Sequence, residues 1–249
     1  MDEGDTSFEW LHDQLARKGY GEICAAQLGE LLGMNVEVCS SLFPLWNELP
    51  PDTYLLDGGH YRFRRHGSFV QRLGPASSVP RLLEVPQRAH WQPKTYNALH
   101  GDLTRWFAPL PQPLVHSVAW EPLLVALGEY FATIRPSAQW FIEAHQFRIT
   151  TDGGIGRPTP EGAHQDGVDF VAILLIDRHQ ISGGETRIYT TDGTELADTT
   201  LNEPCDALLL DDLRVLHETT PIIPQREAGT GWRDTLVLTY RAKGFLDLA

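Results

Sequence analysis

The second half of the chain alternates short apolar runs with clusters of turn-forming residues. Residues 168–176 form a β-branched and apolar run that predicts a buried strand, and residues 187–190 predict a returning strand after a polar turn. Three more strands are predicted at 207–210, 214–219 and 235–240. Short strands separated by Gly, Pro and Asp clusters are typical of an antiparallel barrel or sandwich.

The first half carries apolar residues at the spacing of amphipathic helices, separated by irregular, proline-rich stretches. It predicts a helix that Ser7 caps and that continues through Leu15. A second helix is predicted over 21–32, ending at Gly33, and a third over 121–133. We expect these N-terminal and central helices to buttress one outer face of the β structure.

Length and composition indicate one globular domain. With 249 residues, 42% of them hydrophobic, the chain can bury a full core, and no repeat or linker divides it. We predict one domain over residues 1–249, with a helical and irregular support region at 1–140 and a β core at 141–243. No apolar run approaches the roughly 20 residues of a membrane span, and the acidic first residues are unlike a signal peptide.

The cysteines indicate a reducing compartment. Cys24, Cys39 and Cys205 are odd in number, widely spaced and form no C-x-x-C pattern. Such cysteines predict free thiols, and with the acidic N-terminus they predict a cytoplasmic protein.

The charge balance argues against nucleic acid as a partner. The formal net charge is −13 and the pI is about 5.1, whereas phosphate binding relies on clustered Lys and Arg. A small-molecule partner is therefore expected. One local basic group occurs at 61–65, where the alternation predicts a strand with Arg62 and Arg64 on one face. A structural ion pair is the default interpretation of these arginines, and binding of a carboxylate is the alternative.

Two His-x-Asp patterns occur in the chain, and their surroundings differ. Such a pattern arises by chance at this content of histidine and acidic residues, so the pattern alone carries little weight. His164 and Asp166 lead directly into the predicted strand 168–176. His100 and Asp102 precede no strand, and Asp102 is placed to N-cap the short segment 103–107. We therefore interpret His100 and Asp102 as a cap and turn.

His164, Asp166 and His217 are the predicted metal ligands. On an extended strand, residues i and i+2 share a face, so His164 and Asp166 can bind one ion. His217 follows far enough along the chain to return on a neighbouring strand. Two histidines and one carboxylate form the facial triad that suits Fe(II) and leaves coordination positions open. The alternative for His217 is an ordinary half-buried strand histidine.

Arg233 opens the last predicted strand, on a face that also carries Thr235, Val237, Thr239 and Arg241. A buried arginine is costly without an anion, and a guanidinium group can hold a carboxylate with two parallel hydrogen bonds. We predict that Arg233 binds the far carboxylate of 2-oxoglutarate, with Arg241 as the second candidate. The alternative is a surface ion pair at the strand edge.

The segment around the predicted metal ligands resembles that of a known protein family. Residues 157–170, RPTPEGAHQDGVDF, resemble the metal-binding segment of a bacterial 2-oxoglutarate/Fe(II) dioxygenase family that includes L-isoleucine 4-hydroxylases and related free amino acid hydroxylases. The resemblance extends from about Asp52 to Arg241. Its further segments are 61–65, 145–149, 183–186, 209–212, 217–222 and 232–239.

The resemblance implies a fold and a reaction. The fold would be α+β, mainly β: a double-stranded β-helix, or cupin-like jelly roll, with iron at one mouth. The cofactors would be Fe(II), 2-oxoglutarate and O2, and the reaction would hydroxylate an unactivated C–H bond while forming succinate and CO2.

The resemblance also implies further site residues. The strand at 145–149 contributes polar contacts in related barrels, which makes Gln146 a candidate for co-substrate binding and Arg148 one for substrate binding. A free amino acid needs a carboxylate for its ammonium group, and Glu161 and Asp169 flank the metal motif. Two positions depart from the family pattern: Gln165, where a basic residue is expected, and Glu218, where Gly is frequent.

Two other classes remain open from the sequence. A cupin-like metal-binding protein without oxygenase activity would keep the three metal ligands but would not need Arg233. A nucleic acid demethylase with the same triad should show a basic face, which the net charge disfavours.

Overall fold

Strands dominate the computed structural model, which describes residues 6–36, 42–74, 81–225 and 229–247. The helices in these ranges are α1 (Thr6–Lys18), α2 (Ala25–Leu32), α3 (Gln112–Val115) and α4 (Trp120–Ile134), with a 3-10 helix at Phe43–Trp46. The strands are β1 (Tyr20–Ile23), β2 (Arg62–Arg72), β3 (Leu82–Glu84), β4 (Gln139–Thr150), β5 (Phe170–His179), β6 (Ile181–Gly183), β7 (Thr186–Thr190), β8 (Glu195–Thr199), β9 (Ala207–Asp211), β10 (Val215–Thr219), β11 (Ile222–Pro224) and β12 (Trp232–Arg241).

Antiparallel pairing joins the strands into one large sheet and two small ones. The large sheet has the order β1-β9-β5-β12-β4-β2-β3, and the small sheets have the orders β10-β7-β8 and β11-β6. Side chains of the large sheet and of β10 line one shared cavity. The chain therefore has the predicted mainly β, jelly-roll fold.

The helices cover the other face of the large sheet. Phe131 of α4 stacks on Phe170 of β5 with ring centroids 4.6 Å apart, and Tyr240 donates a hydrogen bond to the Leu124 carbonyl at 3.0 Å. At Gly128 an added Cβ would lie 1.9 Å from Gln71 Oε1 and 2.9 Å from Trp140 Cδ1, so a larger residue would force these buried side chains to shift. The predicted buttress of helices on one face is confirmed.

Alternation along the strands separates the apolar core from the cavity. On β12, Leu236 and Leu238 are fully buried in the helix-covered core, while Thr235 and Val237 line the cavity. Successive side chains of a strand point to opposite faces, so one strand serves both compartments.

Three local predictions are wrong. Residues 20–23 form β1, which pairs with β9, so α2 begins at Ala25 and the predicted helix over 21–32 is too long. No helix forms at 103–107 for Asp102 to cap. The large sheet includes β1, β2 and β3, so strands of the predicted support region at 1–140 belong to the β core.

The cysteines and helices add two observations. Cys24 is exposed and Cys205 is buried, and no disulfide joins them, while Cys39 lies outside the described residues. Within the part of the chain that the structure describes, no helix is long and apolar enough to cross a membrane.

Candidate active site

His164, Asp166 and His217 converge in the lining of the cavity. A short bridge joins the backbones of His164 and His217, with N–H to carbonyl distances of 3.1 and 3.0 Å. Asp166 Oδ1 lies 3.8 Å from His164 Nε2, and Asp166 Oδ2 lies 3.9 Å from His217 Nε2. The three ligand-type atoms lie within 4.8 Å of one another, so small side-chain shifts would bring them onto one ion.

Asp212 fixes the backbone of the metal-binding turn. Its carboxylate accepts hydrogen bonds from the amides of Asp166 at 2.9 Å, Gly167 at 2.8 Å and Val168 at 3.0 Å. Gly167 has φ +81°, and an added Cβ would lie 2.4 Å from the Tyr96 ring. Glycine and the buried aspartate together hold the turn that presents Asp166 to the cavity.

Hydrogen bonds also orient the ligand side chains. His164 Nδ1 lies 3.0 Å from the Gly162 carbonyl, which assigns the proton to Nδ1 and leaves Nε2 free to bind a metal. Gln92 donates to Asp166 Oδ1 at 3.0 Å and accepts from Arg105 Nη2 at 3.1 Å. The sequence does not predict the hydrogen-bonded series Arg105–Gln92–Asp166, because Gln92 and Arg105 lie in an irregular segment without periodicity.

The electrostatics of the triad favour a bound cation. Burial, with His164 nearby, lowers the pKa of His217 to about 4. Burial opposes protonation of His164, but Asp166 and Glu161 outweigh it and raise its pKa. Burial likewise opposes ionisation of Asp166, but the two histidines outweigh it and lower its pKa. At neutral pH Asp166 is therefore ionised and His217 neutral, as a divalent ion requires, whereas the raised pKa of His164 favours a proton that a bound ion must displace.

Arg233 lies in the cavity without a protein anion. It is 4% exposed, its Nε and Nη2 atoms have no hydrogen-bond partner, and no described carboxylate lies within 4 Å of its guanidinium group. Burial, together with Arg178, lowers the pKa of Arg233 to about 10, so the group stays charged at neutral pH. A buried, unpaired cation is costly, and a bound carboxylate would compensate it.

The register of β2, β4 and β12 determines which further side chains line the cavity. Arg62 of β2 and Arg233 of β12 both lie opposite Ile149 of β4. Arg64 is the next inward residue of β2, opposite Phe147. Because aligned positions of adjacent strands point to the same face, all five side chains line the cavity. The prediction that Arg62 and Arg64 share a face is confirmed.

Gln146 and Arg148, predicted to bind the co-substrate and the substrate, lie on the face of β4 that points away from the cavity. His145 and Phe147 line the cavity, whereas Gln146 donates to the Leu45 carbonyl at 3.4 Å on the opposite side. Arg148 pairs with Asp234, at 2.7 Å and 2.6 Å. Both side chains point away from the cavity, so neither lies where it could contact a bound ligand there.

Asp169 and Arg241 also lie outside the cavity. Asp169 accepts the Ala242 amide at 2.9 Å and pairs with Arg135 at 3.4 Å. Arg241 donates to the Gly244 carbonyl at 2.7 Å. Both side chains therefore have their partners away from the metal ligands. The structure contradicts the predictions that Asp169 binds the substrate and that Arg241 is the second candidate for binding the co-substrate.

Glu161 does line the cavity, next to the metal ligands. Its Oε1 atom accepts from Asn97 at 3.3 Å and lies 3.9 Å from His164 Nε2. Its Oε2 atom is buried without a hydrogen-bond partner. The carboxylate therefore has an acceptor available for a cationic group of a ligand.

A second buried cluster, not predicted from the sequence, adjoins the cavity. Glu143 accepts from His66 at 3.1 Å and from His90 at 3.2 Å, and His145 Nδ1 lies 2.7 Å from Arg64 Nη2. The rings of His66 and His145 are stacked, with an interplanar angle of 25°. Nitrogen lone pairs lie in the ring planes, so these two imidazoles do not aim at a common ion, and the cluster is a hydrogen-bonded wall.

The two departures from the family pattern face away from the metal ligands. Gln165 donates to the Asp212 carbonyl, and Glu218 accepts from the Tyr189 hydroxyl at 2.6 Å. The competing pattern at His100 and Asp102 is a turn, where His100 Nε2 accepts the Leu56 amide at 3.3 Å. Among the described groups, His100 and Asp102 are not part of a metal-ligand cluster.

Part of the sequence is similar to a known dioxygenase. The sequence is 24% identical over 155 residues to 3(1)-hydroxy-L-isoleucine 4-dioxygenase of Pantoea ananatis (strain AJ13355), covering 60% of this chain and 62% of that relative. The aligned part therefore spans less than two thirds of the relative's length.

Solved structures show the same fold. A bsmA homologue from Methylobium petroleophilum PM1 superposes with a TM-score of 0.91 at 49% identity, covering 97% of this chain and 96% of the other. IDO from Bacillus thuringiensis superposes with a TM-score of 0.72 at 16% identity, covering 95% and 99%, which is a likeness of fold alone.

The match to a protein family covers most of the chain. Residues 43–239 match the 2OG-Fe dioxygenase family, whose members require Fe(II), 2-oxoglutarate and O2. Residues 164, 166, 217 and 233 all lie within the matched segment. The chain belongs to the 2OG-Fe dioxygenase family.

Proposed function

We propose that this dioxygenase hydroxylates an unactivated C–H bond of a small substrate, a free L-amino acid, with formation of succinate and CO2. The observation that carries the proposal is the buried, unpaired guanidinium group of Arg233, in the cavity that the candidate metal ligands border. A metal-binding protein without oxygenase activity has no need for such a group.

The residues present fit the iron and the co-substrate. His164, Asp166 and His217 would hold Fe(II), and Arg233 would hold the far carboxylate of 2-oxoglutarate with two parallel hydrogen bonds. When bound, these groups supply the oxidising chemistry: one oxygen atom of O2 enters the substrate and the other enters succinate, as CO2 is released. The protein orients the reactants and excludes water from the reacting carbon.

The cavity lining supports a zwitterionic substrate with an aliphatic side chain. Glu161 Oε2 accepts no hydrogen bond from the described residues, with His100 Nδ1 4.0 Å away, and can accept one from an ammonium group. Val168, Ile173 and Val237 provide an apolar wall beside the metal ligands. The name of the relative from Pantoea ananatis, which refers to a hydroxylated isoleucine, agrees with this substrate class.

The first experiment is anaerobic. Fe(II) and 2-oxoglutarate are added to the apoprotein and to a His217→Ala variant, and the visible charge-transfer band of the chelated oxo-acid is recorded. We expect a band in the wild type and its loss in the variant. No band in a folded, iron-loaded wild type would contradict the role of Arg233.

The substrate class is tested next, under air. A panel of L-amino acids is incubated with the loaded enzyme, and products are screened by mass for one added oxygen, together with succinate. Succinate formed in step with a hydroxylated amino acid would support the proposal. Uncoupled turnover with every amino acid of the panel would contradict the substrate class and leave the oxygenase chemistry standing.

A further inference from the structure

Arg105 is a second buried arginine of the cavity that lacks a protein anion. It is 2% exposed, its Nε atom has no hydrogen-bond partner, and Nη2 donates to the neutral Gln92 side chain. Among the described residues, no carboxylate lies within 4 Å of its guanidinium group. Arg105 and Arg233 thus share the same unusual state, a buried positive charge facing a cavity without compensation.

Two further arginines extend this positive region. Arg62 pairs with Asp52 at 2.7 Å, and Arg64 lies 3.9 Å from the same carboxylate. Arg62 Nη2 and Arg64 Nε are both buried without a partner. Within the described chain, Asp52 is the one carboxylate within 4 Å of the guanidinium groups of Arg62, Arg64 and Arg105. Three positive charges therefore face one negative charge, and some of their N–H donors have no acceptor.

The aromatic surroundings hold part of this region rigid. The Arg64 guanidinium carbon lies 3.8 Å from the centre of the Phe107 ring and 4.4 Å from that of Phe147. A guanidinium group held between two rings keeps its orientation, so its free Nε–H is preorganised for an acceptor.

We propose that Arg105, with Arg62 and Arg64 beside it, forms a second anion subsite that binds the carboxylate of the prime substrate. The inference rests on the proposed function, in which Arg233 on β12 is occupied by 2-oxoglutarate. The arginines on β2 lie two strands from Arg233 and therefore face a different ligand. Glu161 lines the same cavity and would take the substrate's ammonium group, so the subsite selects a free α-amino acid over its amide.

The test compares an acid with its amide on two arginine variants. Arg105→Gln removes the charge but keeps an amide donor for Gln92, and Arg65→Gln is the matched control. Arg65 lies on the same strand as Arg62, directly before His66. Its guanidinium group donates to the Pro109 and Glu48 carbonyls, away from the cavity. The twenty proteinogenic L-amino acids are titrated by calorimetry into the anaerobic iron and 2-oxoglutarate complex, followed by the primary amide of the tightest binder.

We expect the wild type and Arg65→Gln to prefer the acid over its amide by at least about tenfold. In Arg105→Gln the affinity for the acid should fall by about 30-fold or more, while that for the amide stays nearly constant. Arg105 also supports Asp166 through Gln92, so each variant is first saturated with iron and 2-oxoglutarate, as judged by the charge-transfer band, before the acid and the amide are titrated. A wild-type preference for the acid in Arg105→Gln would overturn the inference.

Further outcomes separate this inference from the proposed function. If the band forms but no amino acid of the panel binds the wild type, the subsite is wrong and the co-substrate role of Arg233 stands. If the band is absent, the proposed function fails, and the same acid-to-amide comparison on the metal-free protein judges Arg105 alone. If Arg105→Gln does not fold, Arg105→Met removes the charge at similar volume, and a wild-type preference for the acid over its amide there would overturn the inference.

Discussion

Arg62 and Arg233 face the same cavity from strands two places apart, because both lie opposite Ile149 on the strand between them. Adjacent strands are about 4.8 Å apart, so roughly 10 Å separates the two backbone positions. The cavity therefore presents cationic donors from two sides, and the metal ligands border it. Such an arrangement suits two anionic groups on different molecules better than one.

Removal of the Arg233 charge should weaken co-substrate binding. We expect Arg233→Gln to raise the dissociation constant of 2-oxoglutarate by about 30-fold or more, because a buried carboxylate loses its charged partner. The measurement is an anaerobic titration followed at the charge-transfer band. Arg178→Gln is the control, since Arg178 lies opposite Arg233 on β5 but donates to the Leu201 and Gly183 carbonyls. Equal weakening in both variants would contradict the assignment.

The two His-x-Asp patterns should differ in metal binding. Co(II), a spectroscopic substitute for Fe(II), should bind the wild type and His100→Gln alike, and His164→Gln at least about tenfold more weakly. The physical reason is that His100 already accepts the Leu56 amide within a turn, whereas His164 Nε2 faces the other two ligands. Co(II) affinity lost in His100→Gln but kept in His164→Gln would reverse the assignment.

Gln92 should act as a positioning residue for Asp166. Its amide occupies Asp166 Oδ1 and leaves Oδ2 directed towards His217. We expect Gln92→Met, which keeps the volume but removes both hydrogen bonds, to lower Co(II) affinity by about tenfold to 100-fold. A shift of the Co(II) absorption bands with an unchanged melting temperature would distinguish positioning from a general loss of structure. Unchanged bands and affinity would refute the role.

Stability of the metal-free protein should fall with acidity. Burial, assisted by Arg105 and Arg64 and opposed by Glu143, lowers the pKa of His90 to about 4. The unfolded chain, with a histidine pKa near 6.5, therefore takes up the proton first, and stability present above pH 6.5 is lost as the pH falls towards 4. Between pH 7.5 and 5, we expect His90→Gln to lose about 2 kcal/mol less than the wild type in urea unfolding. An identical pH slope would show that His90 does not contribute.

Trp46 should contribute to stability through its position between two strands. It is fully buried, and its indole N–H donates to the Phe147 carbonyl at 3.1 Å and to the Thr235 carbonyl at 3.3 Å. We expect Trp46→Phe to lower the free energy of unfolding by about 2 to 4 kcal/mol, through lost hydrogen bonds and a cavity. Trp10→Phe, on a side chain that is 48% exposed, should change it by less than about 0.5 kcal/mol.

Much of the candidate site follows from local sequence patterns. The i, i+2 spacing of His164 and Asp166, the strand that follows them and the later His217 all predict a shared ligand set, and the structure brings these three side chains together. The face of β12 that carries Arg233, Thr235 and Val237 also lines the cavity as expected. These properties depend on the two-residue period of a strand, which is local.

The two wrong assignments on β4 have one cause. On β4, periodicity correctly separates Gln146 and Arg148 from His145 and Phe147, but both faces of this strand are largely buried. Periodicity alone cannot say which buried face meets the cavity and which meets the covering elements. The more polar face is the natural choice for binding a ligand, but Arg148 on that face pairs with Asp234 instead.

The sequence by itself determined the strand pattern, the metal-ligand candidates and the family, because these depend on residue types at short, regular spacing. The tertiary structure alone decided that Arg105 and Gln92 reach the cavity, since they lie in a segment without regular secondary structure whose course depends on long-range packing. It also decided which arginines remain unpaired. Burial and the absence of a nearby carboxylate are properties of the folded chain, and they distinguish Arg233 and Arg105 from Arg148 and Arg241.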